Sequence, residues 1–153
     1  NDYPQPELMG WAWKSRLGNV NAAFLNVKLK TLPFILRRRE EIAKRYIREL
    51  KDIELGNNGF ELPVHIKGSI WQEFHLRVED REKFAKFLKK KGIETLTRDI
   101  VPNHLMKGLN LDHFDLPVTE KLAREVTRLP LHEWLTDAEV RRVINAIKEY
   151  YKK

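Results

Sequence analysis

The stretch Trp11-Ala12-Trp13-Lys14-Ser15-Arg16 places two indoles, an ammonium and a guanidinium in six residues. A lysine displayed on a conformationally restricted arm can meet an anion, and flanking indoles can bury that arm against another surface. The same residues also suit a packed arm whose cations point to water, and spacing alone leaves both readings open. The five histidines, His65, His75, His104, His113 and His132, show no His-x-x-x-His or comparable ligand spacing, so they read as structural rather than metal-binding. Asp112-His113-Phe114-Asp115 holds two carboxylates but lacks the surroundings of a calcium loop, and reads as a surface loop. There is no cysteine, which excludes disulfides, thiolate catalysis and Cys-ligated zinc and fits a cytoplasmic setting. No glycine-rich phosphate loop and no nucleophile elbow is present.

These side chains must be held by elements that the sequence pattern foretells. Pro4, Pro6, Gly10 and Gly18 keep residues 1–18 out of a helix, so they read as an extended arm. From Asn19 apolar residues recur at helical spacing through Val20, Ala23, Phe24 and Val27 to Leu32, and again from Ile35 through Ile42 and Tyr46 to Leu50. The expectation is one long helix over 19–51 kinked near Pro33, or two helices joined there. Leu55–Pro63 reads as a loop, Val64–Lys67 as a short strand, and Ile70–Val78 as a strand with Ile70, Gln72, Phe74 and Leu76 on one face. Asp80 reads as the cap of a helix burying Phe84, Phe87 and Leu88 and ending at Gly92. Ile93–Arg98 then reads as a second main strand, Thr119–Arg128 as a short helix with Leu122, Ala123 and Val126 inward, and Thr136 with Glu139 as the capping box of a final helix. The fold class is α+β: a long kinked helix followed by a small, mainly antiparallel sheet of two or three strands covered by helices, all of 19–153 forming one domain.

A net charge of +7 over 153 residues permits a nucleic-acid or phosphate partner. In Arg37-Arg38-Arg39-Glu40-Glu41 and its continuation, however, Glu–Lys/Arg pairs at i, i+4 describe a solvated helix face, so the nucleic-acid reading is disfavoured. No apolar run is long enough to span a bilayer.

Several stretches in order carry a resemblance. Ala12-Trp13-Lys14-Ser15-Arg16-Leu17 followed by Ala22-Ala23, the helix with "RRREEIAKRY", the segment "SIWQEFHLRVEDREKFAKFLKKKGIET", "VPNHL", and "LAREVTRLPLHEWLTDAEVRRVINAIKEYY" together resemble the C-terminal part of the DegT/DnrJ/StrS family of pyridoxal-phosphate-dependent, fold type I sugar aminotransferases. The resemblance implies a homodimeric enzyme acting on a sugar nucleotide in amino-sugar biosynthesis, with the Schiff-base lysine and most phosphate contacts on a large N-terminal domain outside this stretch. It implies that this chain completes dimer and active site, holds no cofactor by itself and is inactive alone. Lys14 matches the residue that reaches the cofactor phosphate of the neighbouring subunit. His104 matches a histidine near the substrate side, and Arg98-Asp99 stands where the family often has His-Tyr, so Arg98 is a second candidate for the substrate. Ala12, Ser15 and Ser69 depart from the common pattern, and some members dehydrate rather than transaminate. A non-catalytic interaction domain of the same descent is the alternative.

Overall fold

The computed structural model describes residues 17–56, 59–97 and 101–152. The chain divides into two units, residues 1–33 and 34–153, and each is described by itself.

Helix α1 spans Asn19–Leu55 with Pro33 inside it, one element where the sequence left one or two open. Its described part before residue 34 presents Val20, Phe24 and Val27 to solvent. In the second unit the same helix supplies Ile42, Ala43, Tyr46 and Leu50, which are completely or nearly completely buried. Tyr46 packs its ring 5.1 Å from that of Phe74 and donates its hydroxyl to Pro130 O at 3.0 Å. Burial of the ring therefore leaves no unpaired hydroxyl.

The sheet has three antiparallel strands in the order β1 (Phe60–Glu61), β2 (Phe74–Val78), β3 (Val126–Leu129). In β2 the alternation is as period two demands: Phe74, Leu76 and Val78 are buried and His75 is exposed. Phe74, Leu76 and Val78 join Phe84 and Leu88 of α2 (Arg81–Lys90) and Val140, Val143, Ile144 and Ile147 of α4 (Asp137–Tyr151) in one core. Asp80 accepts from Lys83 N at 3.2 Å at the start of α2. Thr136 and Glu139 form the reciprocal capping box of α4, both as the sequence foretells.

Five expectations are corrected. Leu55–Pro63 is not a loop throughout: Leu55 closes α1, and Phe60–Glu61 form β1, held by pairing with β2. Val64–Lys67 is not a strand; Ser69 N donates to Ile66 O across a turn in which Gly68 has φ 86°. The strand expected from Ile70 begins only at Phe74, because Trp71 has φ 47°. That left-handed residue inverts the faces before it, so Ile70 is exposed and Trp71 is buried. Ile93–Arg98 contributes no named strand among the described residues, only a bridge from Leu96 to Arg128. Helix α3 covers Pro117–Glu125 and buries no residue fully; Val126 to Arg128, expected to continue it, form β3, which pairs along β2.

Candidate functional site

The second face of the sheet is polar where the first is apolar. His75 stands opposite Arg128, Arg77 opposite Val126 and Glu61 opposite Arg77 in the strand register. Arg77 lies 2.5 Å from Glu61 and 2.8 Å from Glu125. Arg128, itself only 9% exposed, places Nη1 2.5 Å from Glu73 Oε1, and His75 Nε2 lies 3.3 Å from the other oxygen of the same carboxylate. Each of these guanidinium groups thus faces a carboxylate, which is the condition for burying a cation at modest cost.

Over part of this face lie α3 and the segment before it, leaving a cavity of about 630 Å³. His75 and Arg128 form part of its wall, with Leu96, Pro102, Phe114 and Leu122 among its apolar groups. Arg81, at the start of α2, holds the far end of α3 by donating Nη1 to Ala123 O at 2.5 Å and Val126 O at 3.2 Å. Leu96 exchanges backbone hydrogen bonds with Arg128 at 3.2 and 3.0 Å, fixing the other edge.

His104 also lines the cavity. It sits in a single 3-10 turn, Asn103–Leu105, and is 4% exposed. Its Nε2 lies 3.2 Å from Glu120 Oε1 on α3. A buried imidazole oriented by a carboxylate and bordering a largely apolar cavity can bind and orient a polar group of a ligand.

Of the sequence candidates, His104 is the one the structure places; Lys14 and Arg98 lie outside the described residues. Of the other histidines, His75 lines the same cavity, His65 is 3.6 Å from Glu40 and stacked on Trp71, and the His113 ring lies tilted against Phe114 with centroids 4.2 Å apart. Among the described residues no three potential metal ligands converge, and no helix is long and apolar enough to cross a membrane. Glu120, Glu73 and Arg128 were not singled out in the sequence. Glu120 is sixteen residues from its partner and reads locally as half of an i, i+4 pair with Arg124, which it also is, at 4.0 Å. No local signal separates the two roles.

A long leading helix followed by a small antiparallel sheet with helices against it is the architecture found in solved sugar aminotransferases. DesV of Streptomyces venezuelae, solved in complex with a ketimine intermediate, matches with a TM-score of 0.80 at 32% identity, over 90% of this chain and 38% of that one. The model of the DegT/DnrJ/EryC1/StrS aminotransferase family matches residues 5–148, and the chain belongs to that family. A dTDP-3-amino-3,6-dideoxy-alpha-D-galactopyranose transaminase from Aneurinibacillus thermoaerophilus is 33% identical over 139 residues, 89% of this chain and 37% of its own length. A Bacillus subtilis relative, solved with bound cofactor PMP, has a TM-score of 0.69 at 27% identity, over 76% of this chain and 28% of that one. The chain spans less than two fifths of the length of these relatives.

Proposed function

We propose that this chain is the C-terminal domain of a pyridoxal-phosphate-dependent aminotransferase that acts on a keto sugar nucleotide in the cytoplasm, in amino-sugar biosynthesis. The carrying observation is the family match over residues 5–148, supported by a relative called a dTDP-sugar transaminase. In this reading residues 1–18 are an arm, residues 19–153 are the domain, and the working enzyme is a homodimer with a large cofactor-binding domain.

Among the described residues the cavity beside His104 has no lysine in its wall, and the guanidinium of Arg128 there already faces Glu73. That donor set suits a substrate group better than a phosphorylated cofactor. In this reading the cofactor's Schiff-base lysine and most of its phosphate contacts belong to the large domain, and this chain is inactive alone. When bound, pyridoxal phosphate supplies the electron sink for amino transfer. The work left to this chain is binding and orientation. Lys14 offers a compact ammonium to the phosphate held by the neighbouring subunit, and Arg98 and His104 hold the sugar nucleotide.

The test joins the chain to its cofactor-binding region and records the visible absorbance of the bound cofactor, then amino transfer to a keto sugar nucleotide. A protein that never acquires the cofactor band overturns the reading. Lys14→Ala is expected to weaken cofactor retention by about ten- to a hundred-fold, the range of a charge-assisted hydrogen bond. Unchanged retention removes Lys14 from the site.

A further inference from the structure

Helix α2 concentrates positive charge. Lys83, Lys86, Lys89, Lys90 and Lys91 fall within residues 82–91, which hold a single carboxylate, Glu82, in a chain whose net charge is +7. Lys83, Lys86, Lys89 and Lys90 are exposed. Lys91 pairs with Glu149 at 2.6 Å, and Lys86 approaches Glu82 at 4.0 Å. Lys83, Lys89 and Lys90 face no carboxylate within ion-pair distance among the described residues. On α1, by contrast, Lys44 meets Glu40 and Arg45 meets Glu49, each at 2.7 Å. Lys89 and Lys90 stand in the last turn of α2, where cations suit the negative end of the helix dipole. Lys83 stands in the first turn, where the dipole opposes it, so helix stability does not account for the whole row.

A groove of about 380 Å³ runs beside this row, with Lys83, Lys86 and Lys90 on its wall and half-buried Phe87 and Tyr150 as its apolar surface. The two rings are 5.3 Å apart, and Lys91 Nζ stands 5.5 Å from the Phe87 centroid. Asp80 and Glu82 border the groove at the start of the helix, where Asp80 already accepts from Lys83 N at 3.2 Å. Along the helix axis Lys83, Lys86 and Lys90 are spaced by about 4.5 and 6 Å. Residues on one face of an extended chain recur at about 6.6 Å, within reach of flexible lysine side chains.

We infer that the lysine face of α2 docks an extended acidic segment of another protein, with carboxylates on alternate residues facing Lys83, Lys86 and Lys90 and an apolar side chain seated on Phe87 and Tyr150. A row of lysines without carboxylates of its own is complementary to such a segment. Single-stranded nucleic acid needs open ring faces on which to stack its bases, and no aromatic residue of this groove is exposed. A helix that lies on a membrane needs an exposed apolar face, whereas α2 buries Phe84 and Leu88 in the core. The groove shares no residue with the cavity beside His104, so the inference stands independently of amino transfer.

The probe is a fluorescently labelled peptide of alternating glutamate and serine with one central leucine. It is titrated into the chain and into the chain joined to its cofactor-binding region. Anisotropy gives the affinity, and amide and aromatic NMR spectra of the chain give the place. Binding to both proteins is expected, with shifts at the α2 amides and the Phe87 and Tyr150 rings, and with affinity falling as salt rises. Lys83→Ala combined with Lys86→Ala and Lys90→Ala is expected to weaken binding about ten-fold, the sum of three exposed ion pairs. Lys67→Ala combined with Lys107→Ala and Lys121→Ala removes the same charge elsewhere and is expected to leave the affinity within about two-fold, because separated charges are screened. A peptide with glutamine in place of glutamate is expected not to bind. Absence of shifts at α2, equal loss in the two triple variants, equal binding of the glutamine peptide, or no binding to the joined protein each overturns the proposal. Tighter binding of polyuridine RNA or of phosphatidylserine vesicles at this face overturns it as well. The readings on the unsubstituted chain need no variant, so one that fails to fold leaves the proposal open to refutation.

Discussion

Arg38 shows how much one side chain does at the junction of α1 and α4. Its Nη2 donates to Leu135 O and to Asp137 Oδ1, each at 2.7 Å. The hydrogen bond from Arg38 holds the Asp137 carboxyl below its usual range. Two residues on, the Thr136 backbone N–H does the same for Glu139, and Arg45 for Glu49. All three groups have a folded-state pKa below the unfolded value. Their contribution is therefore complete above the unfolded carboxylate range and is lost as pH falls through the folded values. The urea midpoint is expected to hold from pH 7 to about pH 5 and to fall below about pH 4. Asp137→Asn is expected to make that fall shallower, because the variant has already lost the Arg38 ion pair at neutral pH. Urea titrations of both chains at pH 7 and pH 3.5 check this. A variant whose acid loss equals the parent's would show that the Arg38–Asp137 pair carries none of the pH dependence.

At the scale of elements, legibility follows from how local the determinants are. The ends of α2 and α4 were readable because a cap acts within four residues. The Gly92 amide donates to Lys89 O and the Ile93 amide to Leu88 O, both at 2.9 Å, with Gly92 at φ 71°. This double return is the left-handed helix ending that favours glycine. A Cβ there would meet Arg142 Nη2 at 2.7 Å, where that guanidinium donates to Lys91 O. Gly92→Ala is expected to cost about 1–2 kcal/mol through the left-handed backbone, read as a lower thermal midpoint with the same fold by circular dichroism. An unchanged midpoint would mean that this ending relaxes freely. Strand β3 was not readable. Leu122, Val126 and Leu129 continue a helical spacing, and what makes Val126–Leu129 a strand is its pairing with β2, about fifty residues earlier. Trp71 hid itself in the same way, since alternation cannot announce a residue with positive φ. The site divides along the same line. His104 was singled out through its place in a family pattern, whereas Glu120 and the Glu73–Arg128 pair meet their partners only after folding.

At the scale of the whole molecule, the exposed apolar residues are organised rather than scattered. In the first unit Val20, Phe24 and Val27 are 69%, 66% and 64% exposed, at helical spacings of four and three that line one face of α1. Within the second unit Phe114, Leu116 and Val118 are 50%, 40% and 71% exposed. Apolar residues in such runs mark surfaces that something else covers; in the proposed function that something is the large domain and the second subunit. Alone, the chain is expected to cover them with copies of itself. Its mass by light scattering should rise with concentration. Phe24→Glu with Val27→Lys, an i, i+3 pair of opposite charge that also favours helix, should lower that rise. Because both side chains are exposed in the folded chain, their replacement should change unfolding stability by no more than about 0.5 kcal/mol each. That contrast separates a docking face from a core: association falls while the urea midpoint of the 34–153 unit stays in place. A clean monomer at high concentration would show that this face needs no cover. A large fall in the midpoint would show instead that Phe24 and Val27 hold the fold together.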